Sequence, residues 1–295
     1  MQIKRILWAS DGSKESDDAL AWAKFLATRF DASVIALNVV EPLNVESLEL
    51  TDDLKKEISR VESGTGQTEG RRLTRMRNML QKMGIKAEPR VARGIPHEEI
   101  AKAGLRGRIH LIAMGKRGLT PWGRMLLGST TSAVLREAHV PILTVRRVKG
   151  KPAIKKILVP TSFSPMDRVA LEWALDLAKK TAATVVLLHV IEVHQSYDAV
   201  KGGFMGRLRD AAVKRLHGMV DSVPAAKRNG VELVEKVMAY PRAWSGIIKF
   251  ARNQGIDIIV TSTHARKGVP RFFLGSVAED VIKEAPCPVI TVRPS

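Results

Sequence analysis

This sequence is almost free of cysteine, since Cys287 is the one thiol among its 295 residues. One cysteine excludes an intrachain disulfide and any metal site built from several thiolates. Apolar runs are also short, and none reaches the roughly 18 residues that read as a membrane-spanning helix. The first residues enter a strand-like segment without the apolar core and cleavage site of a signal peptide, so we expect a cytoplasmic protein with no membrane partner.

Aromatic residues are scarce, and acidic residues are outnumbered by basic ones. Aromatics make up 5% of the chain against 45% hydrophobic residues in total, so the predicted cores are aliphatic. The net charge is +18, with 26 basic and 17 acidic residues in 1–150 and 22 and 13 in the remainder. Charge spread this evenly is typical of a solvated basic surface, and no aromatic platform or zinc-finger spacing accompanies it. Specific nucleic-acid binding is therefore not expected, although polyanions would be attracted non-specifically.

The sequence repeats itself at the scale of a whole domain. Residues 4–13 match residues 155–164 at an offset of 151, and residues 140–146 match residues 287–293 at an offset of 147. A repeat of this length indicates duplication of a complete domain, since solenoid repeats are only 20–50 residues long. The duplication predicts one domain at 1–148 and a second at 153–295.

Within each copy, short apolar runs rich in β-branched residues alternate with segments of helical periodicity. This alternation predicts an α/β fold with two tandem doubly wound domains, each a mostly parallel five-stranded sheet with helices on both faces. The closing strands, 141–145 and 288–292, are apolar edges that we expect to pair within the chain as a pseudo-dimer. The glycine-containing segment 63–70 is predicted to be a mobile, exposed insertion.

A glycine-containing loop follows the predicted fourth strand. It begins with Met114, Gly115, Lys116, Arg117 and Gly118, and nine residues later a helix opens at Gly128, Ser129 and Thr130. Glycines let the backbone approach an anion, and the free amides and dipole of a helix start favour negative charge. The loop therefore favours phosphate binding, while a glycine-rich turn followed by an ordinary helix cap is the structural alternative.

The spacing Gly-x2-Gly-x9-Gly-Ser resembles the ATP-binding signature of the universal stress protein family. Asp11 after the first strand, the turn formed by Gly94 and Pro96, and a closing strand that begins with proline extend the resemblance over nearly the whole chain, twice. The resemblance implies Mg-ATP as the ligand. It places Asp11 near the ribose and the metal-bound phosphates, although a helix cap would also explain that aspartate.

Further positions follow from the same resemblance. Ala9 and Val39 would line the adenine slot, and Ser10 lies between Ala9 and Asp11 in the binding segment. Met114 and Gly115 would flank the ribose and phosphates, and Lys116 and Arg117 would suit a polyphosphate. The phosphate chain itself would be held by the remaining loop and helix residues, which are Gly118, Gly128, Ser129 and Thr130.

The second copy departs from this pattern. Ser162 replaces the aspartate, and Ser262 and Ala265 occupy the two loop-glycine positions, whereas Gly275 and Ser276 persist. Because a methyl group restricts φ and blocks close backbone approach, we expect weak or absent ATP binding in this half.

The leading hypothesis is thus an ATP-binding stress-response regulator that holds nucleotide in its first domain with little or no turnover. One alternative is an interaction or scaffold protein with vestigial pockets and a basic surface, and another is a slow ATPase. No catalytic residue and no protein metal-ligand set is predicted beyond Asp11 near Mg. The expected partners are ATP or a related adenine nucleotide and an unidentified protein, and the sequence leaves a further homodimer open.

Overall fold

A computed structural model of the chain describes residues 3–41, 51–116, 127–146, 150–193, 203–263 and 274–293. The elements of the first half are β1 (Arg5–Ala9), α1 (Lys14–Phe30), β2 (Ser33–Val40), α2 (Asp52–Lys82), β3 (Pro89–Arg93), α3 (Pro96–Arg106), β4 (Leu111–Gly115), α4 (Ser129–Glu137) and β5 (Ile142–Val145). Those of the second half are β6 (Lys156–Thr161), α5 (Pro165–Thr181), β7 (Thr184–Glu192), α6 (Phe204–Asp221), α7 (Ala225–Arg228), β8 (Leu233–Tyr240), α8 (Ala243–Asn253), β9 (Ile258–Ser262), α9 (Ser276–Glu284) and β10 (Val289–Val292).

The strands form one ten-stranded sheet in the order β3-β2-β1-β4-β5-β10-β9-β6-β7-β8. Neighbouring strands within each half are parallel, whereas β5 and β10 pair antiparallel, with Leu143 opposite Ile290. This arrangement confirms the predicted pair of doubly wound sheets and their association through the closing strands. The strand order of each half reverses beside its first strand, which is the place where ligands bind in open α/β sheets.

Two basic side chains also cross the seam between the halves. The ammonium group of Lys116, after β4, donates to the backbone carbonyl of Lys283 in the last turn of α9. The guanidinium of Arg293, after β10, donates to the carbonyl of Leu135 in the last turn of α4. Carbonyls in the last turn of a helix lack intrahelical donors and carry partial negative charge, so each half supplies a cation that satisfies the other.

Apolar side chains alternate between the two faces of the sheet. Ile6 and Trp8 belong to one buried cluster, and Leu7 and Ala9 belong to the other. Each cluster contains residues from both halves, so the hydrophobic core continues across the seam. Cys287 is buried, and burial raises the pKa of its thiol to about 12. No helix in the described ranges is long and apolar enough to cross a membrane.

One prediction about the first half was wrong. The segment 63–70 is not an insertion between elements, because α2 runs through it without a break from Asp52 to Lys82. Isolated glycines cost a helix about 1 kcal/mol each but do not end it, and no proline interrupts the segment. The helical periodicity on both sides of 63–70 therefore prevails over its glycine content.

Candidate functional site

The carboxyl ends of β1, β2 and β4 meet at one edge of the first half. Ala9 lies beside Leu37 of β2 on one side and Met114 of β4 on the other. All three are buried in the same apolar cluster, and Val39 packs against it half-buried. The structure thus places Ala9 and Val39, which were predicted to line an adenine slot, at the same edge as Met114, which was predicted to flank the ribose and phosphates.

A polar network lies next to this cluster. The backbone carbonyl of Ser10 accepts a hydrogen bond of 2.5 Å from the side-chain amide of Asn38. The amide oxygen of Asn38 in turn accepts one of 3.0 Å from the guanidinium of Arg72 on α2. Because Ser10 and Asn38 are both buried, these bonds fix the chain where β1 ends.

Asp11 is exposed immediately after this network. One of its carboxylate oxygens accepts a hydrogen bond of 2.9 Å from the backbone amide of Ser13. Ser13, rather than Asp11, caps α1, because its hydroxyl accepts from the amide of Ser16 at 3.1 Å. Asp11 therefore does not cap α1 and only stabilises a local turn. Its carboxylate remains at the surface beside the strand ends.

The amino-terminal end of α4 is tied to the end of β4. The amide of Gly128 donates to the carbonyl of Lys116 at 3.1 Å, and the hydroxyl of Thr131 donates to the carbonyl of Gly115 at 2.9 Å. The first intrahelical amide is that of Ser132, which donates to Gly128. The earlier amides, including those of Ser129 and Thr130, have no acceptor within the helix.

The side chain of Lys116 does not point toward the predicted phosphate site. Its side chain is buried, with 3% of its surface exposed, and its ammonium group reaches Lys283 in the other half. The reason is the position of Lys116 at the end of β4, next to the seam strand β5. Arg117 and Gly118, the other two predicted loop residues, lie outside the described residues.

Gly115 has a packing role of its own. A Cβ atom at this position would lie 2.9 Å from the backbone nitrogen of Ser16 and 3.0 Å from the carbonyl carbon of Glu15. The first turn of α1 therefore sits directly against β4, at a distance that only glycine allows. Loss of binding in a Gly115 variant would consequently not distinguish a ligand contact from a displaced helix.

We expect Gly115→Ala to lower the free energy of unfolding by about 1–3 kcal/mol, because the methyl group overpacks backbone atoms that cannot move alone. Gly70→Ala in α2 is the matched control, since a Cβ there meets nothing within 4 Å. That change should stabilise by up to about 1 kcal/mol, as alanine is the better helix former. Thermal unfolding of both variants without ligand measures the difference, and equal melting temperatures would refute the packing role.

The second half has an acidic residue at this edge after all. Asp167 in the first turn of α5 is 2% exposed, and its carboxylate points back to the end of β6. One oxygen accepts from the hydroxyl of Thr161 at 3.1 Å, the amide and hydroxyl of Ser162 at 2.8 and 3.1 Å, and the amide of Ser164 at 3.0 Å. The other oxygen accepts from the hydroxyl of Ser262 at 2.6 Å.

Asp167 and Ser262 replace a matched pair in the first half. At the offsets of the repeat, Asp167 corresponds to Ser16, and Ser262 corresponds to Gly115. In the first half, helix and strand touch through backbone, whereas in the second half a hydrogen-bonded carboxylate and hydroxyl fill the same gap. The second half therefore has Ser162 at the loop position of Asp11, and its acidic residue, Asp167, stands in the first turn of α5, where it stabilises the fold.

His189 occupies the position that Asn38 has in the first half. Its Nδ1 lies 2.8 Å from the carbonyl of Thr161, and because a carbonyl only accepts, Nδ1 carries the proton. Burial lowers the pKa of His189, the nearby Arg215 lowers it further, and the bond to Thr161 opposes both. The ring also contacts Phe163, with centroids 4.2 Å apart. A neutral His189 leaves Nε2 as an acceptor.

The first turns of α4 and α9 differ in charge. In α4 this turn is Ser-Thr-Thr-Ser, without an acidic residue, and in α9 it is Ser-Val-Ala-Glu. Glu279 adds a carboxylate to the first turn of α9, where it also forms an ion pair of 2.7 Å with Lys283, and Val277 presents an apolar side chain where Thr130 stands in α4. By charge and side-chain polarity, the first turn of α4 is therefore better suited to an anion than the first turn of α9.

Sequence reasoning missed Asn38, Arg72 and Asp167. Asn38 interrupts an apolar strand, and Asp167 is three residues after Ser164, the spacing of a capping box. Both signals were available in the sequence. Among the residues that the structure describes, no three His, Cys, Asp or Glu side chains form a group that could hold a metal ion.

Comparison with known proteins gives the same family for both halves of the chain. The sequence model of the universal stress protein family matches residues 2–146 and again residues 153–293. A universal stress protein of Mycolicibacterium smegmatis is 26% identical, with 98% of this chain and 97% of that protein covered. One from Methanocaldococcus jannaschii is 34% identical over 153 residues, which cover 50% of this chain and 84% of that protein. The crystal structure of a universal stress protein from Archaeoglobus fulgidus superposes with a TM-score of 0.69 at 23% identity, over 100% of both chains.

Proposed function

This chain belongs to the universal stress protein family, and we propose that its first half binds ATP as a ligand that sets the state of a stress-response regulator, with little or no turnover. The second half, in this proposal, does not bind the nucleotide. In this proposal the first half senses the nucleotide, and the second half is a structural partner with a different pocket.

The observation that carries the proposal is the amino-terminal end of α4. Its first-turn amides lack intrahelical acceptors, its first turn contains hydroxyls and no carboxylate, and Thr131 anchors it to the end of β4. Such a helix start binds phosphate through amides and dipole together. It lies next to β4, whose residue Met114 is in the same buried cluster as Ala9, a residue that the resemblance assigns to the adenine slot.

A magnesium ion fits this arrangement only as part of the nucleotide. The exposed carboxylate of Asp11 is the single acidic group that our prediction assigns to it, and Mg²⁺ is commonly held by one or two carboxylates with the phosphates and water. The ion would supply charge neutralisation to the phosphates. Asp11 would hold it at the strand edge while the amide of Ser13 keeps the carboxylate oriented.

The described part of the site offers little for hydrolysis. Among its described residues, Asn38 and Thr131 already use polar side-chain groups in bonds to the protein, and Lys116 is directed to the other half. General-base catalysis needs a group within hydrogen-bond reach of the attacking water, with a suitable pKa. The proposal therefore gives ATP the role of a bound ligand that shifts the population of states.

Calorimetric titration of Mg-ATP into nucleotide-free, full-length protein tests the proposal. We expect one site per chain, abolished by Gly118→Ala, because the loop signature resides in the first half. Two sites would contradict the division between the halves. Absence of binding would favour the interaction protein with vestigial pockets, and steady-state hydrolysis that disappears in Asp11→Ala would favour the ATPase.

A further inference from the structure

The second half encloses a cavity that the nucleotide proposal does not use. Its volume is about 900 Å³, and it lies beyond the carboxyl ends of β6, β7 and β9, against the beginnings of α8 and α9. Small-molecule pockets commonly measure about 300–1,000 Å³, so the cavity is large enough for an organic ligand. Its lining indicates the class of that ligand.

Negative charge is concentrated on this lining. Asp167 lies at the floor, and all five of its hydrogen-bond donors are neutral, so its charge is not cancelled by a cation among them. Glu192 lies at the exposed rim, where one carboxylate oxygen accepts from the amide of Ala243 at 2.6 Å. Within the described part of the chain, the lining contains no lysine or arginine. Arg215 lies over the ring of Phe163, and neither belongs to the lining.

The remaining walls are mostly apolar. Leu188 and Val190 contribute from β7, Ile247 from α8, and Val277 and Val281 from α9. Val277 is 37% exposed at the mouth of the cavity, so its side chain is accessible to a ligand. These walls would bury the apolar body of a ligand, while the two carboxylates disfavour phosphate.

We propose that this cavity binds a small organic molecule with an apolar body and a positively charged amine. The amine would lie near Glu192, and the body would pack on Val190, Ile247 and Val277. A triphosphate is the opposite kind of ligand, because it would meet the two carboxylates of the lining. The inference is independent of nucleotide binding in the first half, since it rests on a separate cavity.

Two fluorescent probes that share one body and differ in charge test this inference. Dansylcadaverine carries an amine, and dansyl-aminohexanoic acid carries a carboxylate on a chain of similar length. Titrated into the full-length protein, the amine probe should bind saturably and at least tenfold more tightly than the acid probe. Glu192→Gln, which keeps an oxygen to accept from Ala243, should remove most of that preference.

Two variants that fill the cavity establish the location. Ala243→Trp and Val277→Trp should each weaken binding of the amine probe at least tenfold, because each places an indole against the lining. Ala225→Trp on the exposed side of α7 is the matched control and should bind as the parent does. Equal or tighter binding of the acid probe, absence of saturable binding, or full affinity in both filling variants would overturn the inference.

Discussion

Ser129→Asp is expected to weaken Mg-ATP binding by more than about 100-fold, or roughly 2.7 kcal/mol. The new carboxylate would stand in the first turn of α4, where it would compete with phosphate for the free amides and repel it. The same change should leave folding intact, because an acidic residue at a helix start contributes about 0.3–1 kcal/mol of stability. Calorimetric titration measures the loss, and thermal unfolding without nucleotide checks the fold.

The repeat provides a matched control for this experiment. Ser276→Asp places the same side chain at the equivalent position of α9, and we expect unchanged affinity and stoichiometry. Ser129→Ala removes only a hydroxyl and should cost about tenfold or less. If Ser129→Asp bound ATP as the parent does, the phosphates would not lie at α4. If Ser276→Asp reduced the number of sites, the second half would be a nucleotide site.

The fold could be predicted from the sequence because the same pattern of strands and helices occurs in both copies of the duplicated domain. Two offsets, 151 and 147, align the strands of both copies, and the backbone bonds follow them, as in Lys116 to Val145 and Thr263 to Val292. The antiparallel pairing of β5 with β10 followed from the liability of an apolar sheet edge. The prediction for segment 63–70 was wrong because its glycine content suggests a loop, whereas the longer helical pattern around it determines the structure.

The candidate site was only partly predictable, for a physical reason. The glycine signature and Asp11 depend on local backbone, which leaves a pattern in the sequence. The destination of Lys116 depends on a helix 167 residues away, and the packing role of Gly115 depends on the first turn of α1. Such contacts are set by tertiary packing, and single-sequence periodicity does not encode them.

Asp167→Ala is expected to lower the free energy of unfolding by about 3 kcal/mol or more. The change leaves the buried hydroxyl of Ser262 and the amides of Ser162 and Ser164 without their acceptor, and hydrogen bonds to a charged group contribute about 1.5–3 kcal/mol each. Urea unfolding followed by circular dichroism measures the loss. Asp210→Ala, on the exposed face of α6, is the control and should stay within about 0.5 kcal/mol of the parent.

The first half supplies the design of a rescue. Asp167→Ser combined with Ser262→Gly recreates the pair that Ser16 and Gly115 form there, with close backbone approach in place of the carboxylate. Because the two positions touch, their effects should not add, and we expect the double variant to be about 1–2 kcal/mol more stable than the sum of the single changes predicts. If the stability effects of the two single changes simply added, positions 167 and 262 would not be coupled, and the exchange of residues between the halves would not be a matched pair.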